Sequence, residues 1–96
     1  MTRFFLSREA EHDLDGIKAF LEEKAGAAVA RRVLLNIVQA IRFLAAHPLA
    51  GHLRENLRPL PIRFWPAGSY LISYEPSTPI EVLRVIHGAR DVTKLV

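Results

Sequence analysis

Two amphipathic stretches joined by a single residue, Gly26, constrain this chain more than any other feature of it. Apolar residues recur at Ala10, Leu14, Ile17 and Leu21, with acidic residues on the other side. That spacing is one face of an α-helix. Ser7 reads as its cap, and Glu9 and Glu11 suit the positive end of its dipole. Gly26, after Lys24 and Ala25, is a natural stop. A second helix is predicted from about Ala27 to Ala46, with a stripe of Ala30, Val33, Leu34, Ile37, Val38, Ile41, Leu44 and Ala45. Pro48 ends it, because the residue before a proline avoids helical geometry. So short a link makes the pair a hairpin, and the apolar side of a hairpin needs a surface to cover.

The remaining residues supply that surface. Arg3 to Leu6 is a short apolar run, suited to an opening strand. Leu49 to Pro61, with Gly51, Pro59 and Pro61, reads as an ordered loop. Ile62 to Trp65, Tyr70 to Tyr74 and Ile80 to His87 read as strands, separated by turns at Pro66–Ser69 and Pro76–Pro79. The last strand is nearly all apolar apart from Glu81, Arg84 and His87, a pattern that suits a strand buried on both faces. The expected architecture is α+β. Strand, two helices and three strands make an antiparallel sheet with the hairpin on one face. At 96 residues, without repeats or an internal boundary, residues 1–96 read as one domain.

Composition narrows the chemistry. With no cysteine there is no disulfide scaffold, zinc knuckle or thiol nucleophile. The four histidines include no i, i+4 pair, so neither a metal site nor a cofactor is expected. The apolar N-terminal stretch is too short for a signal peptide, and no run approaches the roughly 18 residues of a membrane helix. A cytoplasmic protein without membrane contact is expected. The formal charge is +3, from 13 basic and 10 acidic residues. That balance permits a nucleic acid or an acidic protein partner without choosing between them.

Several residues stand out. Arg84 lies in an apolar strand, where a charge needs a partner. It reads either as paired with Glu75 or Glu81, or as a guanidinium shown on the open sheet face to hold an anion. Strand alternation sets His87 on the opposite face from Arg84. His47 sits at the end of the second helix, where the dipole favours it. His12 and His52 read as solvated surface. Arg54, Arg58 and Arg63 cluster as either a solvated basic loop or a docking surface. Trp65, before a proline and near a turn, reads as a half-buried core lid or a partner anchor. Leu35 and Phe43 lie off the apolar stripe of the second helix. With Phe20 they are candidates for a groove that takes a partner helix.

These residues form a longer pattern. It runs through Ser7, Ala10, Asp13-Leu14 and Ile17, then Leu44, His47-Pro48 and Gly51, then Leu57-Arg58-Pro59-Leu60, Phe64, Gly68, Tyr70-Leu71-Ile72 and Tyr74. It closes on Glu81-Val82-Leu83-Arg84-Val85-Ile86-His87-Gly88-Ala89-Arg90-Asp91, the most specific part. The chain resembles the ParE branch of the RelE/ParE toxin superfamily over nearly its whole length. The resemblance implies the fold read above and a type II toxin held inactive by a cognate ParD-like antitoxin in a hetero-oligomer. DNA is then contacted only through the antitoxin, and DNA gyrase is the target, so that replication stalls and growth arrests.

RelE-type relatives instead cleave mRNA in the ribosome, which requires a base, an acid and a cation on the phosphate. No lysine lies between Lys24 and Lys94, so the lysine-rich set of such enzymes is missing. The candidates for a ribonuclease here are Arg84, His87, Arg63 and His47. For a protein-binding inhibitor, the candidate target or partner contacts are Arg58, Arg63, Trp65, Arg84, His87 and Arg90. The residues weigh toward the inhibitor, with the ribosome-dependent endoribonuclease as the alternative. A third possibility is a non-toxic module that only binds antitoxin.

Overall fold

A computed structural model describes residues 3–53 and 61–89. The elements in chain order are β1 (Phe4–Leu6), α1 (Arg8–Ala25), α2 (Ala27–Ala46), β2 (His52–Leu53), β3 (Arg63–Ala67), β4 (Tyr70–Glu75) and β5 (Ile80–His87). Both helices fall where periodicity puts them. The Ser7 hydroxyl accepts the Ala10 N–H at 2.9 Å. Gly26 closes α1 by donating to the Leu21 carbonyl at 3.0 Å, with φ at 93°. A side chain strains at such an angle, so a one-residue link between helices selects glycine.

The five strands run in the order β1-β5-β4-β3-β2. The α+β architecture matches the sequence reading, with three refinements. The sheet is mixed rather than wholly antiparallel. β1 lies parallel to β5, pairing Phe4 with Ile80 and Leu6 with Val82. The connection between this parallel pair is long, as such a pair needs, and contains the hairpin and the strands β2 to β4. The segment read as a loop also holds β2, which pairs antiparallel with β3 through His52–Phe64 and Leu53–Arg63. A strand of two residues is set by its partner and carries almost no pattern of its own. Pro66 and Ala67 belong to β3, so the turn narrows to Gly68 and Ser69.

The core lies between hairpin and sheet. Ile37, Ile41 and Leu44 from α2 and Ala10 from α1 meet Ile72, Tyr74, Ile80, Val82 and Val85. Each buried aliphatic side chain there contributes about 1.5–3 kcal/mol. The inward residues of β5 step by two from Ile80 to Val82, then by three to Val85. The cause is a shift of register. Ser73 pairs with Arg84 but Tyr74 with Val82, leaving Leu83 as the extra residue of a bulge. A smaller cluster, Phe64 and Ile86 with Ile62 and Leu71, forms on its own. No described helix is long and apolar enough to cross a membrane.

Candidate functional site

β1 ends opposite Val82, so α1 covers the edge of β5 beyond it. The Ser7 N–H donates to the Val82 carbonyl at 2.9 Å, and its hydroxyl to the Leu83 carbonyl at 2.8 Å. Nearly two turns further on, the Asp13 carboxylate does more. Its Oδ2 accepts Arg84 Nε–H at 2.7 Å and the Val85 N–H at 2.9 Å, while Oδ1 accepts Arg84 Nη2–H at 2.9 Å. Asp13 thus grips the guanidinium bidentately and also satisfies a strand N–H that β1 is too short to reach. Arg84 is therefore paired with Asp13, and not with Glu75 or Glu81 as one reading expected. It lies at the seam of helix and sheet with 30% of its side chain exposed, a correction to its display on the open sheet face.

Behind this seam lies a cleft of about 360 Å³ whose walls include His12, Gly16, Phe20, Tyr70, Arg84 and His87. Arg84 and His87 share it, although alternation alone separates them. The His87 ring meets Tyr70 edge-on at 5.5 Å. Its Nδ1 accepts the Ala89 N–H at 3.3 Å, anchoring the turn that leaves the strand.

A second constellation forms at the other end of β4. The buried Tyr74 hydroxyl donates to the Pro48 carbonyl at 2.7 Å and accepts the Gly51 N–H at 2.8 Å. Burial pushes its pKa up from 10.0, while the Gly51 N–H and the nearby Arg63 charge pull the other way. Arg63 Nη1 donates to the Gly51 carbonyl at 2.8 Å and to that of Leu49 at 3.3 Å. The loop after α2 is held from both sides, and an aromatic wall stands on it. Phe43 stacks on Trp65 at 5.3 Å, Trp65 on His52 at 6.2 Å, and the His47 ring lies 4.7 Å from Phe43. His52 is exposed, as expected, and its ring also forms the outer end of the wall. Trp65 is half-buried and packs on the core, consistent with a lid.

The four residues weighed for RNA cleavage fall into these two groups. His87 pairs across the sheet with Tyr70, and Arg63 with Tyr74. The two positions are four residues, about 13 Å, apart along β4. Arg84 and His87 belong to the cleft. Arg63 and His47 belong to the loop, with Arg63 committed to carbonyls. The three groove candidates also separate. Phe20 lines the seam cleft and Phe43 joins the aromatic wall, although each is more than 40% exposed. Leu35, 52% exposed, forms the ridge between two other clefts. One, about 490 Å³, runs between α1 and α2 past Leu34, Val38, Lys18, Arg31 and Arg42. The other, about 500 Å³, lies between α2 and the β3–β4 turn, at Asn36, Gln39, Gly68 and Tyr70. Arg54, Arg58 and Arg90 lie outside the described residues. No group of three potential metal ligands occurs among those described.

Asp13 and Tyr74 organise the two sites, and sequence reasoning gave neither that role. Tyr74 had a signal, since an inward-facing tyrosine must find a partner for its hydroxyl. Asp13 had little, because an acidic residue on a helix looks solvated until the strand beside it is known.

Comparisons with known proteins agree with this architecture. The family described as ParE toxin of type II toxin–antitoxin system, parDE, matches residues 4–92. Toxin ParE1 of Caulobacter vibrioides is 33% identical over 87 residues, spanning 91% of this chain and 90% of that protein. A solved structure described as a chromosomal ParDE toxin–antitoxin system from P. aeruginosa superposes with a TM-score of 0.75 at 23% identity, covering 91% of this chain and 96% of that one. That structure supports the fold, and the matched family and the Caulobacter relative carry the assignment. The chain belongs to the ParE family of type II toxin–antitoxin toxins, a membership that implies an antitoxin partner.

Proposed function

We propose that this toxin, folded as one domain over residues 1–96, acts in the cytoplasm as a protein-binding inhibitor of DNA gyrase. It thereby blocks replication and arrests growth until antitoxin neutralises it. Family membership supports the toxin part. The observation that carries the inhibitor part is the division of the candidate chemical groups between two ends of β4. General acid–base cleavage needs a base, an acid and a phosphate-binding cation within reach of one substrate. Here Arg84 and His87 lie in one place, His47 and Arg63 in the other. What the surface offers instead is a largely exposed aromatic wall around the half-buried Trp65 and a charged seam, features of a docking protein. Trp65 and Arg84 are the contacts proposed to matter most, with His87 and Arg63 beside them and Arg58 and Arg90 as further basic candidates. DNA is reached only through the antitoxin.

Purified toxin is assayed in parallel for gyrase supercoiling and for transcript integrity during in vitro translation. Loss of supercoiling with trapped DNA breaks and intact mRNA is expected. Normal supercoiling with cut transcripts overturns the proposal in favour of the ribonuclease. Normal supercoiling, intact transcripts and no growth defect on expression without antitoxin leave a binding module.

A further inference from the structure

We infer that the outer face of the helix hairpin pairs two copies of this chain about a twofold axis that runs along the helices. The inference concerns the toxin alone and stands whatever its target is.

The hairpin divides charge between its two helices. α1 carries six acidic residues against three basic ones, whereas α2 carries Arg31, Arg32 and Arg42 and no aspartate or glutamate. Glu11 and Glu22 on α1 are exposed, and so are Arg31 and Arg42 on α2. At 100° per residue, all four lie about 100–140° around their helix from the buried stripe, on the side turned away from the sheet. Among the described residues, no ion pair within the chain uses any of them. Helices that carry opposite net charge on one exposed face are complementary to each other across an interface.

The spacing is what points to a second copy. Glu11 and Glu22 are eleven positions apart, as are Arg31 and Arg42, which is about 16 Å or three turns. Both pairs are also set evenly about Gly26. Glu22 lies four residues before it and Arg31 five after, while Glu11 lies fifteen before and Arg42 sixteen after. The helices run back on each other from that one-residue link, so positions equally far from it lie at one height. A twofold axis parallel to the helices lays α1 of one copy on α2 of the other and leaves every height unchanged. Glu22 then meets Arg31 of the second copy and Glu11 meets its Arg42, each within about 1.5 Å in height. Symmetry makes four such contacts. Between them Leu35, 52% exposed, comes opposite the small Ala19 and the methylene stem of Lys18.

The charges also fix the axis. A twofold axis across the helices would lay α1 on α1 and α2 on α2, so that like charges meet. A nucleic acid is disfavoured on this face, because the α1 carboxylates repel phosphate. The face measures about 30 by 20 Å, so the pair buries roughly 1,200 Å², the small end of specific interfaces, and a micromolar Kd is expected.

The experiment is sedimentation equilibrium of the full-length toxin, prepared without antitoxin, from about 1 to 500 µM at low and high salt. Wild type is expected to dimerise, with Kd raised about tenfold or more in high salt. Arg31→Glu/Arg42→Glu makes the four positions all acidic, and Glu11→Arg/Glu22→Arg makes them all basic. Each variant alone is expected to stay monomeric over that range. An equal mixture of the two is expected to form a heterodimer, because all four contacts are then of opposite sign. Circular dichroism melting checks each fold. Should a reversal unfold, Arg31→Gln/Arg42→Gln and Glu11→Gln/Glu22→Gln take its place, each expected to raise Kd about threefold or more. A monomeric wild type overturns the inference and leaves the charged face to a different partner. A dimer that the folded reversals, or the glutamine pairs, leave unweakened overturns it by placing the interface elsewhere. So does a mixture of folded reversals that stays monomeric, since the two sets of charges then do not face each other.

Discussion

Two glycines mark the two ends of the molecule, and they are there for opposite reasons. A methyl group built on Gly51 lands 2.6 Å from Tyr74 Cε1 and 2.9 Å from Cζ. A methyl on Gly16, in the middle of α1, meets nothing within 4 Å. Gly51 is demanded by packing, because the loop backbone must lie against the Tyr74 ring for the hydroxyl to be bonded on both sides. Gly16 is demanded by nothing in its surroundings. It costs α1 stability and leaves the wall of the seam cleft bare. One end of the fold is closed to van der Waals contact, and the other is joined by charge with a cleft left open.

The sharpest way to break this contrast is Gly51→Ala. The added carbon displaces the Tyr74 ring or lifts the loop, and either movement loses the bonds to Pro48 and Gly51. Overpacking and two orphaned polar groups together cost about 3 kcal/mol, read as a fall in the urea midpoint with m unchanged. A change below about 1 kcal/mol means that the loop is not packed against the ring in solution. The damage is expected to stay local to the aromatic wall, so the environment of Trp65 shifts and its fluorescence reports it.

The seam is next. Asp13→Ala removes two charge-assisted bonds to Arg84 and one to the Val85 N–H. It leaves a partly buried guanidinium without its carboxylate, a loss of about 2 kcal/mol. Reversing the pair, Asp13→Arg with Arg84→Asp, separates the roles. If Arg84 only holds the seam, the swap recovers part of the stability and also the toxicity. If Arg84 meets the target, stability returns and toxicity does not. Tyr74→Phe follows, at about 1–2 kcal/mol, because the ring remains and only the hydroxyl is lost. Its signature is in pH. The folded pKa of Tyr74 is raised, so above about 10 the unfolded chain releases this proton first. Wild-type stability therefore falls as pH rises past 10, and the phenylalanine variant lacks that component of the slope. Equal slopes for the two proteins would contradict a buried hydroxyl.

What the sequence disclosed, and what it hid, follows the range of the interactions. Ser7, Gly26 and Pro48 act within a few residues of themselves, so both helices were legible nearly to the residue. The strands from Tyr70 onward were legible for the same reason, since alternation and turn chemistry are local. The parallel pairing of β1 with β5 was not, because three residues do not encode a direction and the partner lies at the far end of the chain. The Asp13–Arg84 grip spans 71 positions, and the Tyr74–Pro48 bond 26. Such contacts exist only once the sheet has brought distant segments together. The bulge at Leu83 was hidden for the same reason, since it is defined only against the partner strand. Alternation separated Arg84 from His87, and the seam cleft brought them back to one place. The groove was misread for a further reason. Phe20, Leu35 and Phe43 were grouped by size and exposure, whereas the clefts are set by which helix face meets which neighbour.

The smallest expected effect concerns the open glycine, and its sign is the reverse of the others. Gly16 sits in the interior of an 18-residue helix. Alanine there gains about 0.5–1 kcal/mol, because it loses less backbone entropy on folding and fits the helix without strain. With nothing within 4 Å to collide with, that gain is not offset. For a chain of this length it raises Tm by about 2–8 °C. The same methyl narrows the wall of the cleft that holds Arg84 and His87. If the target uses that cleft, Gly16→Ala gives a more stable toxin that arrests growth less well, a pairing that no loss of folding can produce. Higher Tm with undiminished toxicity takes the cleft out of the contact surface and leaves the aromatic wall as the place to look. A lower Tm shows that α1 packs more tightly there than its open surface indicates, and the contrast between the two glycines fails.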